Sequence, residues 1–364
     1  MRMPTVLESD FMKMNKKIEG LTPYLPDLGE YKVRLDANES CFNLPQSIRA
    51  EISALVSDID FNIYPDPYCE KVVAAYAELK GLNSDTIVAG NGSDELIGII
   101  ISSFCQKDDS VVCFSPDFSM YNFYAHLAET QVISLFKDDN FNLDKQIIID
   151  TVVQKKPRIV IFSSPCNPTG QVFCRNDILD IISCSQDCLF VVDQAYADFG
   201  GNNVIDMCEK CDNLIVLQTC SKAYGLAAIR LGFAVSNIDI INVIKSVKSP
   251  YNVNSVTQVI GEYVLRQKDY LEDCTKKIIQ NKKNLEEKLS DLCYNDFRVI
   301  KTETNFCFVF CSKAANVHEG LKKKGVLVRL FNNKFLRIST GDKAQNDYFI
   351  TQLILTLKEE NIDV

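Results

Sequence analysis

The sequence predicts an α/β chain: a parallel or mixed sheet with helices on both faces, joined to a smaller α+β body. Two observations carry this. Between residues 86 and 235, short apolar, β-branched runs alternate with helical patterns. Beyond residue 250 the texture changes to one long charged amphipathic stretch followed by closely spaced strand-like runs. At 364 residues and 46% hydrophobic content, the chain is long enough to bury more than one core.

The strand-like runs of the first body are TIVAG (86–90), SVVCF (110–114), QVISLF (131–136), RIVIFSS (158–164), LFVVD (189–193), NLIVLQT (213–219) and LGFAV (231–235). Helical patterns such as DELIGIIISSFC and NDILDIISCSQ lie between many of them. The stretch YLEDCTKKIIQNKKNLEEKLSDL reads as a helix linking the two bodies. After it come FRVI, NFCFVF, VLVRLF and FLRIST as strands, and QNDYFITQLILTLKEE as a closing helix. We expect the large body to cover 45–265, and the small one 266–364 together with an amino-terminal arm, 1–44.

Composition excludes several classes. A net charge of −9 argues against a nucleic-acid-binding surface, which needs a basic face. No apolar run approaches the ~20 residues that span a membrane, and the amino-terminal stretch lacks the apolar core of a secretory signal. We therefore expect a soluble, cytoplasmic chain without membrane or nucleic-acid partners. Fifteen cysteines, an odd number, read as reduced thiols, many of them small core residues. Cys184, Cys188, Cys208 and Cys211 would gather at one end of the sheet if the strands they precede are neighbours, which leaves a zinc site open; no metal is otherwise expected.

In open α/β sheets, ligands sit beyond the carboxyl ends of the strands. Here those ends run into NGSDE, PCNPTG, Asp193 with QAY, and CSK. Gly90-Asn91-Gly92-Ser93-Asp94 places glycines and capping residues at a helix start, where free backbone amides and the helix dipole suit a phosphate. Thr219 and Ser221 add hydroxyls and Arg230 a forked donor, completing an anion cup. Lys222, among apolar residues and near other cations, has the setting of an amine nucleophile. Asp193 ends a strand opposite it and suits a protonated ring nitrogen, while Asn167 and Tyr196 suit the phenolic oxygen of the same ring. A phosphate cup, a Schiff-base lysine and a strand-end carboxylate together describe a pyridoxal-phosphate site. His126 and His318 lie outside these motifs and read as structural or surface groups.

SSPCNPTG (163–170), VVDQAYADF (191–199) and TCSKAYGLAAIRLGF (219–233), in this order and spacing, resemble the fold-type I aminotransferases. GNGSDELI and LRISTG (336–341) fit as well, so the resemblance covers nearly the whole chain. Within that group the sequence is most similar to the histidinol-phosphate aminotransferases, through LTPYLPDLGE, LDANES (35–40), YPDP (64–67), PYNVN (250–254) and the arginines of VRLF and LRISTG. The resemblance implies a mixed, mostly parallel seven-stranded sheet flanked by helices, with a smaller α+β domain. It implies that Lys222 carries pyridoxal 5'-phosphate as an aldimine and shuttles the substrate proton in a ping-pong exchange between an amino phosphate or amino acid and 2-oxoglutarate. Asp193 would pair with the ring nitrogen, Asn167 and Tyr196 with the phenolic oxygen, and Phe118 would stack on the ring. Ser93, Asp94, Thr219, Ser221 and Arg230 would surround the phosphate. In a homodimer with shared sites, Tyr64 would reach the neighbour's phosphate. Arg337 would grip the α-carboxylate and Arg329 the distal phosphate or carboxylate, with Tyr24, Asn91 and Tyr251 completing the pocket.

The sequence departs from the family at PYLPDLGE, at Cys166 where Asn is common, and at Phe118 where Tyr is common. These departures leave open an aromatic or broad-range aminotransferase and a phosphothreonine-type decarboxylase. A ligand-sensing regulator domain would need a DNA-binding domain, for which the ~20 residues before the motifs are too few.

Overall fold

The structure of the chain is a computed structural model that describes residues 15–23, 25–292 and 296–360. Its strands in chain order are β1 (Val33–Leu35), β2 (Ile87–Gly90), β3 (Ser110–Ser115), β4 (Gln131–Phe136), β5 (Ile159–Ser163), β6 (Leu189–Asp193), β7 (Leu214–Thr219), β8 (Gly232–Val235), β9 (Phe297–Ile300), β10 (Phe306–Cys311), β11 (Val326–Phe331) and β12 (Phe335–Ser339). Each strand-like run expected between 86 and 235 is a strand of one seven-stranded sheet in the order β2-β8-β7-β6-β5-β3-β4.

Burial explains the composition of these runs. Strands β5, β6 and β7 are buried along their whole length because helices cover both faces, so IVIFS, LFVVD and LIVLQT carry no polar alternation. Phe190, Val191 and Val192 are wholly inaccessible, and each such side chain contributes about 1.5–3 kcal/mol. Strand β4 sits at the edge and keeps exposed positions along QVISLF.

Only β8 runs against its neighbours in this sheet, antiparallel to both β2 and β7. Gly232, its first residue, pairs with Gly90 and with Thr219. The reversal therefore brings the segment carrying Arg230 to the edge where the parallel strands end. A Cβ at Gly232 would lie 2.3 Å from the Ser93 amide nitrogen, so only glycine lets β8 pack this close to the start of the helix Ser93–Phe104.

The second sheet has five strands in the order β1-β11-β12-β10-β9. Its last four were expected. Strand β1 was not: three residues are too short for a period to register, and its partner β11 lies near the other end of the chain. The helix Lys268–Ser290 joins the two bodies as expected. Its Leu271, Cys274 and Ile278 belong to the core of the large sheet, whereas Leu285 and Leu289 belong to that of the small sheet.

The fourteen described cysteines are all free. Strands β6 and β7 are neighbours. Even so, among the described residues no group of three or more Cys, His, Asp or Glu is placed to hold a metal ion. Cys188 and Cys208 lie in the core, with Cys184 and Cys211 packed against it. Among the described residues no helix is long and apolar enough to cross a membrane.

Candidate active site

A cavity of about 430 Å³ opens at the carboxyl edge of the large sheet. Ser93, Asp94, Phe118, Asn167, Asp193, Tyr196, Thr219, Ser221, Lys222 and Arg230 all line it, although they come from six separate segments.

At one end, the helix Ser93–Phe104 begins with Gly92 as its cap, and no side chain bonds its first amides. Those amides have no intrahelical partner and carry the positive end of the dipole. Gly92 has φ +84°, and a Cβ there would lie 2.8 Å from Arg230 Nη2. Glycine thus supplies the left-handed backbone and also leaves room for the guanidinium. Arg230 Nη1 donates to Ser221 Oγ at 3.4 Å, and the Ser221 amide donates to Thr219 Oγ1 at 3.2 Å. The result is a set of donors and cations fitted to an anion.

At the other end stands Asp193, 5% exposed. Its Oδ2 accepts from the Tyr121 hydroxyl at 2.8 Å, and its Oδ1 from the Ala195 amide at 3.0 Å. Burial pushes its carboxyl up from 3.8 to about 6, because these neutral donors offset desolvation only in part. A cationic ring nitrogen is the partner this environment favours. Tyr196 is buried beside it and its hydroxyl accepts from Asn38 Nδ2 at 2.9 Å. Asn167 accepts on Oδ1 from Arg337 Nη1 at 2.5 Å, and Arg337 Nη2 donates to the Asp36 carbonyl at 2.6 Å.

Lys222 donates to the Ala37 carbonyl at 3.1 Å, a neutral partner. Burial, reinforced by Arg337, lowers its pKa from 10.5 to about 8. A substantial fraction of neutral amine is then present near physiological pH, as a nucleophile requires.

The rest of the expected set lies elsewhere. Tyr64 is 78% exposed and stacks on Tyr251 with ring centroids 4.6 Å apart, outside the cavity. Asn91 is exposed, its amide donating to Glu95 Oε2 at 2.7 Å. Arg329 is directly opposite Arg337 on the neighbouring strand, but exposed. Tyr24 lies outside the described residues.

The sequence reading missed Tyr121, Asn38 and Ser163. Tyr121 falls three residues after Phe118, where the chain turns into the helix Met120–Leu127 and the Tyr121 amide donates to the Phe118 carbonyl at 3.3 Å. Asn38 lies within LDANES, which β1 delivers across the cavity: Asp36, Ala37 and Asn38 meet Arg337, Lys222 and Tyr196 in turn.

A desolvated amine facing a buried carboxylate, with an anion cup beside it, defines an enzyme that handles amines through a phosphate-bearing carbonyl cofactor. The family model of aminotransferase class I and II matches residues 30–353, and the chain belongs to that family. It is 39% identical to a histidinol-phosphate aminotransferase of Clostridium novyi over 96% of this chain and 97% of that protein. To the histidinol-phosphate aminotransferase of Clostridium kluyveri it is 37% identical, over 94% and 98%. The fold is that of histidinol-phosphate aminotransferase from Sinorhizobium meliloti, solved in complex with pyridoxal-5'-phosphate, with a TM-score of 0.88 at 22% identity over 97% of this chain and 99% of that one.

Proposed function

We propose that this chain is a pyridoxal-phosphate-dependent aminotransferase of histidine biosynthesis, exchanging an amino group between histidinol phosphate and 2-oxoglutarate. The observation that carries the reading is the cavity in which Lys222, Asp193 and the uncapped helix start with Arg230 come together. The residues fit the cofactor: the cup matches a phosphate, and the cation-seeking Asp193 matches a ring nitrogen.

When bound, the cofactor supplies a carbonyl carbon that takes an amine and a ring that draws electrons from the bonds around it. Asp193 keeps the proton on the ring nitrogen. Asn167 and Tyr196 hold the phenolic oxygen, each fixed by a further contact to Arg337 or Asn38. With the cofactor bound, Lys222 Nζ would take the proton from the substrate α-carbon and pass it to the cofactor's former carbonyl carbon, the role of a base poised near the working pH. Phe118 covers the ring. Arg337 takes the α-carboxylate of glutamate. Arg329, directly opposite, adds a second cation for the distal phosphate or carboxylate, and like charges so placed favour an anion between them. The exposed Tyr64–Tyr251 pair serves a homodimer, in which Tyr64 meets the partner's phosphate.

Comparing kcat/KM for histidinol phosphate and phenylalanine, each with 2-oxoglutarate, tests the reading. We expect a large preference for histidinol phosphate; a preference for phenylalanine would replace it with an aromatic aminotransferase, and carbon dioxide release without 2-oxoglutarate turnover with a decarboxylase.

A further inference from the structure

At the cavity wall, Asp117 and Ser163, neither of which the reaction uses, form a connected group, with Ser163 lining the cavity. Asp117 Oδ1 accepts from the Phe118 amide at 2.8 Å and from the Ser163 hydroxyl, and its Oδ2 accepts from the Ser163 amide at 3.1 Å. Ser163 Oγ in turn accepts from the Asn167 amide at 3.2 Å. One carboxylate therefore ties the residue that covers the cofactor ring to the loop that holds its phenolic oxygen. The direction of the relay follows from the charge. An ionised carboxylate only accepts, so the Ser163 hydroxyl must donate to it and turn a lone pair toward Asn167.

The same group has a cation. Lys137, just beyond β4, donates to Cys166 Sγ at 2.9 Å and to the Pro116 carbonyl at 3.0 Å. Pro116 and Cys166 immediately precede Asp117 and Asn167, so this ammonium clamps both ends of the relay. Cys166 is 1% exposed and supplies a soft acceptor where an apolar side chain would leave the ammonium without that contact. Burial pushes the Asp117 carboxyl up, and Lys137 is the largest influence pulling it back.

We infer that Asp117 and Lys137 form a positioning pair. Asp117 sets Phe118 and Asn167 relative to one another through Ser163, and Lys137 ties together the neighbouring residues Pro116 and Cys166. Neither touches the reacting atoms. The inference rests on the proposed cofactor chemistry and deepens it, by assigning the placement of Phe118 and Asn167 to two charged residues outside the set proposed to hold the cofactor.

The test titrates pyridoxal phosphate into cofactor-free wild type, Asp117→Asn, Lys137→Met, Lys137→Arg and the Asp117→Asn/Lys137→Met double variant. It records the dissociation constant and the visible circular dichroism of the bound cofactor. Far-ultraviolet circular dichroism controls for folding. Asp117→Asn places an amide where donors converge, and we expect it to weaken binding roughly ten- to a hundredfold and to reduce the visible signal. Lys137→Met should do less, Lys137→Arg should retain the wild-type signal, and the double variant should lose less than the sum of the single losses, since both residues hold the same two segments together. Wild-type affinity and visible signal in Asp117→Asn, or additive losses in the double variant, would overturn the pair. If Asp117→Asn fails to fold, the lysine variants decide: Met and Arg behaving alike overturns the inference, while loss in Met alone supports it. A wild type that takes up no cofactor sinks the functional reading and this inference with it.

Discussion

The two ends of the site are built in different ways. At the Lys222 end, ten expected residues from six segments, Lys222 and the buried Asp193 among them, line one cavity. Toward the distal substrate, Arg329 and Tyr251 are exposed and Tyr64 lies outside the cavity altogether. The first end is fixed by the sheet, because β2, β3, β5, β6 and β7 run into the segments that line the same edge, and the turn before β8 brings Arg230 to it. The proposed second end draws on Arg329 of the small sheet and on the exposed aromatics Tyr64 and Tyr251. The proposed cofactor contacts thus lie mainly at the edge of the large sheet, and the proposed distal substrate contacts on elements around it.

The largest expected effect lies at the fixed end. Lys222→Ala should lower kcat by at least about 10³-fold, since it removes the proton-transferring group; single-turnover rates with glutamate measure this. Asp193→Asn should lower kcat by a comparable or slightly smaller factor, and near-normal turnover would contradict its role.

Asp193→Asn should also change stability, with a defined sign. The cofactor-free fold raises the carboxyl pKa from 3.8 to about 6, so between these values the folded chain binds more protons than the unfolded one. Stability from this group therefore falls as pH rises through that window, and the penalty is complete above about pH 6. The shift corresponds to roughly 3 kcal/mol at most. We expect the variant, without cofactor, to be more stable than wild type at pH 7.5 by roughly 1–3 kcal/mol. Urea unfolding at pH 7.5 and pH 4 checks this, and the difference should shrink at the lower pH. Gly92→Ala should weaken cofactor binding by about tenfold through the positive φ and the crowding of Arg230, read by equilibrium titration.

The smallest effect is expected at the distal end, and it sharpens the contrast. Tyr64→Phe should leave the visible spectrum unchanged and weaken cofactor binding about threefold to tenfold, the scale of one hydrogen bond. Mixing inactive Lys222→Ala with Tyr64→Ala chains should raise activity above the Tyr64→Ala level if sites are shared; strictly proportional dilution would argue that each chain works alone.

Legibility followed the same division. Strand-end residues could be read from sequence because a β-branched run, a break and a polar residue mark their place without knowledge of the partners. Residues that act by reaching across the chain could not. Asn38 bonds Ser339 and Tyr196, and Arg337 bonds Asp36; nothing local in either segment names those partners. Strand β1 escaped for the same reason, and with it the path that carries Ala37 to Lys222. Nothing local to Asp117, just after β3, names Ser163 as its partner; only the fold shows the bond.

The central claim, that Lys222 is the attachment point of the cofactor, can be tested directly by borohydride reduction of the cofactor-loaded chain followed by peptide mapping. We expect a single pyridoxyl group on Lys222, in the peptide containing TCSKAYG. A pyridoxyl group on another lysine such as Lys137, or no adduct from a chain saturated with pyridoxal phosphate, would contradict the account.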